Sequence, residues 1–522
     1  MNVELLGEQI KYHEKHFSDT GEHTSDLDVI IPDYLPDAAK IIQCRAQVYV
    51  QDKNPVTDAV NLSGEVIYQV LYLPEGSSCP KSLTVKDALA HTFQAPGVSA
   101  GSTVFAAACV LHCECCLINS RKMSLRSVSE LSVKAFNPCT LEIASEVSPE
   151  QQDTVEIRKG QLNMFLTTQV TEASFTVTED LELSSVSLPI ADLLYTDTAL
   201  FLKDIKTVSN KIILKASAVI KSVYASGLER ESLCMAENEV PFSQIIDVPG
   251  AEDERNSIDV ALLLLGMTTQ VNEDLNGDSK IISCTMMVQA QVTVQKSIDV
   301  MAVQDAFSTR GALRLESQTI SAQKMMETAT AQVTAKDFIS PTGDTPTVGD
   351  IVHISARAGT PEVTCDNQIM QISGLIHLRA LCCDKDRYYV IDRQIPYQHQ
   401  HRLAVASLKL KGEVNAQVSH IASSTNAAGE VEIRAVCDLR LRVFEERRET
   451  VVGSASLNES TASKKTSPLV LCFLQKGDTL WEIAKRYGVK MHDICRLNKL
   501  DEAETDVTGM LMIPIMQGEA QE

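Results

Sequence analysis

Apolar and polar residues alternate along most of this chain. Between Glu430 and Val443, for example, every second side chain is Val, Ile, Ala, Cys or Leu, and most of the residues between them are charged. A period of two indicates a β-strand with one face in a core and the other toward solvent. Similar alternating runs recur along the chain before this segment, so the sequence predicts a mainly β fold.

Three of the strand-like segments share the same order of residues and nearly the same spacing. Leu214 lies 152 residues after Leu62, and Ile372 lies 158 residues after Leu214. The same two intervals relate a second set of apolar residues, Ile41, Leu193 and Ile351. Repetition at this spacing predicts three related, domain-sized units, each with its own core. We expect sandwich-like β domains in tandem at residues 1–150, 151–318 and 319–452.

Two stretches depart from the strand pattern. A short helical turn is predicted at Pro36–Ile42, with equivalents in the other two units. Residues 453–467 are mostly Ser, Thr, Lys and small residues without an apolar period. This composition predicts a flexible linker. The β units expose strand edges, and exposed edges can pair with the edges of other chains. The sequence is therefore compatible with self-association of the protein.

The segment after the linker has the apolar period of a helix. Apolar side chains recur three and four positions apart at Leu480, Ile483, Ala484 and Tyr487. Thr479 and Glu482 form a capping box, and Gly488 suits the left-handed residue that ends a helix. The flanking elements are predicted as two strands and a second helix, at Val470–Leu474, Gly509–Pro514 and His492–Leu497. The expected order is β-α-α-β within residues 468–517.

This pattern resembles the LysM family through the stretch KGDTLWEIAKRYGV, Asn498 and the Gly-x-x-x-Ile-Pro end. LysM domains bind N-acetylglucosamine polymers in a shallow groove between two loops. The usual Tyr-x-Val of the first strand is replaced here by Cys472-Phe473-Leu474. Trp481 is expected either to pack on the sheet or to contact a ligand. The resemblance implies partner-binding or glycan-binding residues at Lys476, Gly477, Asp478, Thr479, Leu480, Trp481, Leu500 and Asp501.

Charge narrows the range of partners. The 522 residues include 47 Lys and Arg against 69 Asp and Glu, which gives a net charge of −22. An acidic surface disfavours nucleic acids and anionic membrane surfaces. Residues 468–517 contain six basic and seven acidic residues, so nearly all of the negative charge belongs to the β units.

The fifteen cysteines are expected to be reduced thiols that serve as small apolar residues, because the N-terminus has no signal-peptide pattern. The densest group is Cys109, Cys113, Cys115 and Cys116, with His112 among them. Cys115 and Cys116 face opposite sides of a strand, and no second CxxC matches the pair Cys113 and Cys116, so buried structural thiols are favoured over a metal site. A metal site is likewise disfavoured at Cys382-Cys383, whose side chains face opposite ways. It is also disfavoured at His399 and His401, for which no third ligand is found. We expect no metal and no cofactor.

Neither a nucleotide-binding loop nor a zinc-protease motif is found in the sequence, and no membrane span. It has no phosphate-binding GxxxxGK[ST] loop and no HExxH. The longest apolar stretches are too short to cross a bilayer. We therefore expect a non-enzymatic protein without a transmembrane segment.

The whole arrangement resembles the SipL-like family of spore-coat morphogenesis proteins, whose repeated module is the SPOCS domain. The resemblance rests on Ile31–Asp37, Leu62–Gly64, Asn119–Lys122 and the LysM end. It implies a scaffold of spore-coat assembly in the mother-cell cytoplasm, at the forespore surface or spore coat. It also implies that the LysM domain recruits a SpoIVA-like coat morphogenetic ATPase. The alternative is a peptidoglycan-binding protein of the cell or spore wall, which would bind N-acetylglucosamine or chitooligosaccharide.

Overall fold

Strands make up most of the protein in its computed structural model, and the helices found there lie after residue 479. The expected mainly β fold, with several sheets in tandem, is therefore confirmed. The described residues are 2–226, 232–251, 256–339, 350–366, 368–384, 387–404, 409–425, 430–458, 468–475, 477–500 and 509–515.

Unit 1 follows a two-residue strand, β1 (Asn2–Val3). Its strands are β2 (Leu5–Ile30), β3 (Ala38–Val56), β4 (Ala59–Pro74), β5 (Lys81–Gln94), β6 (Thr103–Asn119) and β7 (Lys122–Val147). They form two antiparallel sheets. The long sheet has the order β2-β7-β6, and the short sheet has the order β3-β4-β5.

Unit 2 repeats this arrangement. Its strands are β8 (Val155–Glu182), β9 (Ile190–Val208), β10 (Lys211–Ser226), β11 (Leu233–Asp247), β12 (Asn256–Glu273) and β13 (Ser279–Ser308). The long sheet is β8-β13-β12 and the short sheet is β9-β10-β11, so the strands pair in the same order as in unit 1.

Unit 3 has the same two sheets with one additional strand. Its strands are β14 (Ala312–Ile339), β15 (Asp350–Ala358), β16 (Glu362–Asp366), β17 (Ile369–Asp384), β18 (Arg387–Arg402), β19 (Leu410–Thr425) and β20 (Val431–Asn458). The long sheet is β14-β20-β19, and β1 also pairs with β20. In the short sheet β17 pairs with β15, β16 and β18.

Each unit buries apolar side chains between its long and short sheets. In unit 1, Val66, Tyr68 and Val70 of β4 belong to one buried cluster with Leu125 and Leu131 of β7. Residues two apart on a strand share a face, so alternating apolar residues from the two sheets meet in one layer. The period read from the sequence therefore accounts for the core.

The helical turn predicted at Pro36–Ile42 is wrong, because Ala38–Ile42 is the beginning of β3. The strand pairs with β4, with register shifts after Ala38 and after Ile41. The backbone N–H of Ala38 also donates to Ser120 O at 2.8 Å. These long-range backbone bonds override the local helix propensity of the Ala-Ala-Lys sequence.

The Asn119–Lys122 turn holds the loop that precedes β3. The Arg121 guanidinium donates to Asp33 Oδ1 at 2.7 Å and to Asp37 Oδ1 at 2.9 Å. It also donates to the carbonyl of Leu35 at 2.9 Å. Two of the segments that carry the family resemblance, Ile31–Asp37 and Asn119–Lys122, are thus a single structural contact in unit 1.

The three short sheets meet through equivalent residues. Leu71, Val223 and Leu381 lie on the central strands and are related by the intervals of 152 and 158 residues. They form one buried cluster, to which Leu194 and Tyr195 also belong. Equivalent positions of the three units therefore converge on a common centre.

A polar cluster lies beside this apolar centre, with one side chain from each unit. Arg45 Nη2 and Asp197 Oδ2 are 2.8 Å apart, and His353 Nε2 is 3.7 Å from the same carboxylate oxygen. Tyr195 Oη lies 3.3 Å from His353 Nδ1. Burial, together with the nearby Arg45 charge, lowers the pKa of His353 to about 3. A neutral histidine is therefore buried where the units join.

The longest strands continue beyond their sheets as two-stranded ribbons. The paired segments are 5–14 with 137–147, 155–166 with 296–308, and 312–324 with 445–458. The three ribbons pack against one another and bury apolar side chains that include Ile10, Leu162, Val300 and Val451. We call this region the ribbon bundle.

The strand ends differ from the expected domain divisions at two points. β14 begins at Ala312, before the division expected at 318, and β20 ends at Asn458, inside the expected linker at 453–467. Both segments belong to the third ribbon, which fixes them by pairing. The division of the chain into domains stays a prediction. The rest of the expected linker, 459–467, lies outside the described residues.

The C-terminal segment has the predicted β-α-α-β order. Its elements are β21 (Leu469–Phe473), α1 (Leu480–Tyr487), α2 (Met491–Asn498) and β22 (Met510–Pro514). Thr479 Oγ1 accepts the Glu482 N–H at 3.3 Å, and Gly488 ends α1 in the left-handed region at φ 60°. The two strands pair antiparallel. The expected small α/β region is thus confirmed.

Candidate functional site

The turn before α1 contains the first of the predicted groove residues. Gly477 has a φ of 101°, which favours glycine, and a Cβ there would meet open space. Asp478 Oδ2 accepts the Gln475 N–H at 3.0 Å, and Asp478 Oδ1 lies 3.4 Å from Arg486. Asp478 and the capping residue Thr479 therefore hold the turn and the start of the helix. Lys476 and Asp501 lie outside the described residues.

The remaining predicted groove residues belong to the core of this segment. Leu480 and Trp481 are buried, and Leu500 is partly buried against the same cluster. The Leu500 N–H also donates to Cys495 O at 3.0 Å, just after α2. The structure brings all three residues together, but as packing residues of α1 and α2.

Trp481 packs against the ribbon bundle. Its ring lies edge-to-face on Phe307, with 5.0 Å between the centroids, and Trp481 is only 7% exposed. The Arg158 guanidinium lies 5.8 Å from the centroid of the indole ring. Edge-to-face and cation–π arrangements are both favourable for an aromatic ring. Trp481 is expected from the sequence either to pack or to contact a ligand, and in the structure it is a packing residue.

Asp305 forms the polar part of the contact between Trp481 and the ribbon bundle. Its carboxylate accepts the Trp481 indole N–H at 2.8 Å and lies 2.6 Å from Lys485 Nζ. Partial burial raises the pKa of Asp305, but the hydrogen bonds from Lys485 and Trp481 outweigh burial, so its pKa is lowered overall. A second ion pair joins Lys490 to Asp153 at 3.3 Å. Asp305 is therefore held as a carboxylate by α1.

We call this set of interactions the docking contact. It joins α1 and the start of α2 to the end of the β8/β13 ribbon, far away in sequence. Its unit 2 residues cannot be identified from the sequence, because nothing local distinguishes them from other ribbon residues. They are Asp153, Arg158, Asp305 and Phe307.

The outer face of the β21/β22 sheet is apolar and exposed. Phe473 is 74% exposed and lies opposite Met510, while Leu471 is 52% exposed and lies opposite Met512. The inner face of the same strands buries Cys472, Leu511 and Ile513. A surface sheet ordinarily has a polar outer face, so this outer face is an unusual patch of exposed apolar side chains. The outer face comprises Leu469, Leu471, Phe473 and Met510.

This outer face could have been recognised from the sequence. The runs LVLCF and MLMIP are apolar at consecutive positions instead of alternating. In a two-stranded sheet covered by helices on one side, such runs must leave apolar side chains on the other side. The loop residues implied by the LysM resemblance do not include this face.

Asn498 has a structural role that its place in the family motif does not reveal. Its Nδ2 donates to Ile494 O at 2.8 Å and to Met512 O at 2.6 Å, and its Oδ1 accepts the Met512 N–H at 2.8 Å. The side chain thus connects the end of α2 to the middle of β22. It keeps the sheet and the helix together.

The cysteine and histidine groups considered for metal binding are dispersed. Cys113 is buried with Cys44, at an Sγ–Sγ distance of 3.2 Å, whereas Cys116 is exposed. His401 Nε2 lies 2.8 Å from Glu327 Oε1. Within the described ranges, no group of three or more His, Cys, Asp or Glu side chains is placed to hold a metal ion.

Comparison with known families agrees with the resemblance drawn from the sequence. The family model described as SipL, SPOCS domain matches residues 37–118 and 189–272, and the LysM domain model matches residues 474–503. The two SPOCS matches cover β3–β6 of unit 1 and nearly all of β9–β12 of unit 2. No curated protein and no solved structure matches the chain. Unit 3 shares the strand order and lies outside the two regions matched by the SPOCS model.

These matches define the general class of the protein. SPOCS and LysM domains are binding and interaction domains, and together they indicate a sporulation-related interaction or cell-wall-binding protein. The LysM match by itself suggests peptidoglycan or chitooligosaccharide binding. Neither helix in the described part of the chain is long and apolar enough to cross a bilayer.

Proposed function

We propose that this chain, with its SPOCS and LysM domains, is a non-enzymatic scaffold protein of spore-coat assembly. In this proposal the LysM domain recruits a SpoIVA-like coat morphogenetic ATPase to the forespore surface. The protein would act in the mother-cell cytoplasm, at the forespore surface or in the spore coat. The three β units would supply the rigid body from which the LysM domain presents its binding surface.

The observation that carries this proposal is the apolar outer face of the LysM sheet. Leu471 and Phe473 offer aliphatic and aromatic surface with no polar side chain between them on that face. A glycan needs hydrogen-bond partners for its hydroxyl groups, whereas a protein partner can bury such a face with its own apolar residues. The face also lies on the sheet, away from the docking contact made by α1.

The alternative function is peptidoglycan binding in the LysM groove, which the family match favours. The described groove residues Gly477, Asp478 and Thr479 would then contact N-acetylglucosamine. Trp481 is engaged by Phe307 and Asp305, so its ring could not also stack on a sugar while the docking contact is formed.

The two functions are separated by a binding experiment on the full chain. The variant Phe473→Glu places a charge on the outer face, and we expect capture of the purified SpoIVA-like ATPase to weaken at least about tenfold, equivalent to ~1.4 kcal/mol. The matched control is Val186→Glu, because Val186 is an exposed apolar residue in unit 2. Capture by the control should equal that of the parent chain.

Insoluble peptidoglycan provides the second arm of the experiment. The proposal expects no retention of the full chain that chitooligosaccharide can compete away. Competed retention, combined with undiminished ATPase capture by Phe473→Glu, would reject the outer face as the functional surface and support the glycan alternative.

A further inference from the structure

A central cavity lies where the three units meet. It has a volume of about 1250 Å³ and is lined by residues from all three units. Among the strands that line it are β3, β6, β9, β12, β15 and β19, and in the described sheets each of these is an edge strand. The cavity is therefore surrounded by sheet edges, two from each unit.

The charge of this cavity is opposite to that of the protein. Its lining contains five Lys or Arg side chains and three carboxylates, together with three histidines. The chain as a whole has a net charge of −22. A positive, partly enclosed site in an acidic protein concentrates anionic groups. The charged lining residues are Arg45, Lys221, Arg357, Arg379 and Arg393 against Asp197, Glu237 and Asp392.

Each of the three carboxylates in the lining forms an ion pair with one lining cation. Arg45 pairs with Asp197 at 2.8 Å, Lys221 with Glu237 at 3.4 Å, and Arg379 with Asp392 at 2.7 Å. This pairing leaves two lining cations without a lining carboxylate.

Those two cations are Arg357 and Arg393, and both side chains are exposed. Arg357 lies near the Cys109 thiol and has no carboxylate partner among the described residues. Arg393 is only loosely paired, at 4.0 Å from Asp337 outside the cavity lining. The net positive charge of the cavity is thus available to an incoming ligand.

Backbone carbonyls on the edges of the lining strands accept hydrogen bonds from side chains of another unit. Gln417 Nε2 donates to Leu200 O at 2.8 Å, and Gln291 Nε2 donates to Ala106 O at 3.0 Å. In both cases an amide from one unit reaches an edge carbonyl of another. Edge strands accept an added strand in the same way, through their unpaired backbone groups.

The size of the cavity favours a peptide. Pockets for small molecules usually measure about 300–1,000 Å³, and this cavity is larger. We propose that the central cavity binds an acidic segment of a partner protein in extended conformation, with carboxylates at Arg357 and Arg393 and its backbone along an edge strand. This site involves only the three β units, so it is independent of the LysM domain.

The test uses the full chain and a fluorescein-labelled peptide of alternating Glu and Val, about eight residues long, which spans ~26 Å as a strand. Fluorescence anisotropy should show saturable binding that weakens with added salt. The double variant Arg357→Glu, Arg393→Glu should reduce the affinity at least about tenfold. The control Arg448→Glu changes an exposed arginine of β20 outside the cavity and should leave the affinity within about twofold.

A second probe tests the backbone part of the proposal. The same peptide with N-methylated backbone amides keeps its carboxylates but cannot pair with an edge, so it should bind at least about tenfold more weakly. Unchanged far-UV circular dichroism establishes that the variants are folded. Equal binding by the double variant, equal binding by the methylated peptide, or equal loss in Arg448→Glu would each overturn the proposal.

Discussion

Replacing Phe307 with alanine should release the LysM domain from the ribbon bundle. Phe307 is buried, and it belongs to the apolar cluster of the LysM domain although it lies in β13. Without its ring, Trp481 loses the edge-to-face partner that covers it. The bonds to Asp305 would remain, but they would then be open to water.

The expected loss can be estimated from this geometry. Truncating a buried Phe to Ala typically costs about 3–5 kcal/mol. Part of that cost falls on the ribbon bundle itself, so we assign about 3 kcal/mol to the docking contact, which corresponds to a ~100-fold lower docking equilibrium constant. The hydrogen bonds to the charged Asp305 contribute about 1.5–3 kcal/mol each when shielded and less once water enters.

The chain reports this change through its own fluorescence, because Trp481 is its single tryptophan. In the parent chain the indole is 7% exposed, so its emission should be blue-shifted and poorly quenched by acrylamide. In Phe307→Ala the emission should shift to longer wavelength and the quenching constant should increase. Far-UV circular dichroism should stay the same, because the sheets remain intact.

Phe338→Ala is the matched control, because Phe338 is an exposed aromatic residue of β14 in unit 3. Its emission spectrum and quenching should equal those of the parent. If Phe307→Ala gives the same spectrum and the same quenching as this control, then Phe307 does not hold Trp481 and the docking contact is refuted.

Three further predictions concern the β units. Because burial and Arg45 lower the pKa of His353 to about 3, its neutral form is favoured on folding; the stabilisation is complete above about pH 6.5 and lost as the pH falls toward 3, by up to ~5 kcal/mol. In His353→Gln, the free energy of urea unfolding should depend less on pH within this range. An unchanged slope would contradict the assignment of this pH dependence to His353. Arg45→Ala deprives Asp197 of its 2.8 Å partner and should cost about 1–3 kcal/mol in the same assay, with Asp197→Asn in the Arg45→Ala background restoring part of it. Gly64→Ala places a Cβ only 1.9 Å from the carbonyl oxygen of Tyr49 and should lower stability by about 1–3 kcal/mol, whereas Gly266→Ala, with nothing within 4 Å, should have little effect; equal melting temperatures for the two variants would argue against this clash.

Much of the architecture could be predicted from local patterns. The period of two in segments such as Glu430–Val443 specifies strands, and the intervals relating Leu62, Leu214 and Ile372 specify repeated units. The caps at Thr479 and Gly488 specify the limits of α1. These features are local because hydrogen-bonding geometry and side-chain period act over a few residues. The wrong helical turn at Pro36–Ile42 arose where pairing with β4 outweighed local propensity.

The docking contact and the central cavity depend on contacts that no local pattern contains. Asp305 and Trp481 are 176 residues apart in sequence yet form a hydrogen bond, and Arg45 meets His353 across 308 residues. The central cavity exists only because six strand edges from three units converge. The sequence by itself determined the strands, the repetition and the LysM fold, since each follows from residues near one another along the chain. Only the tertiary structure decided that Trp481 is covered and that positive charge gathers at the centre of an acidic protein, because burial and electrostatic field depend on which distant segments pack together.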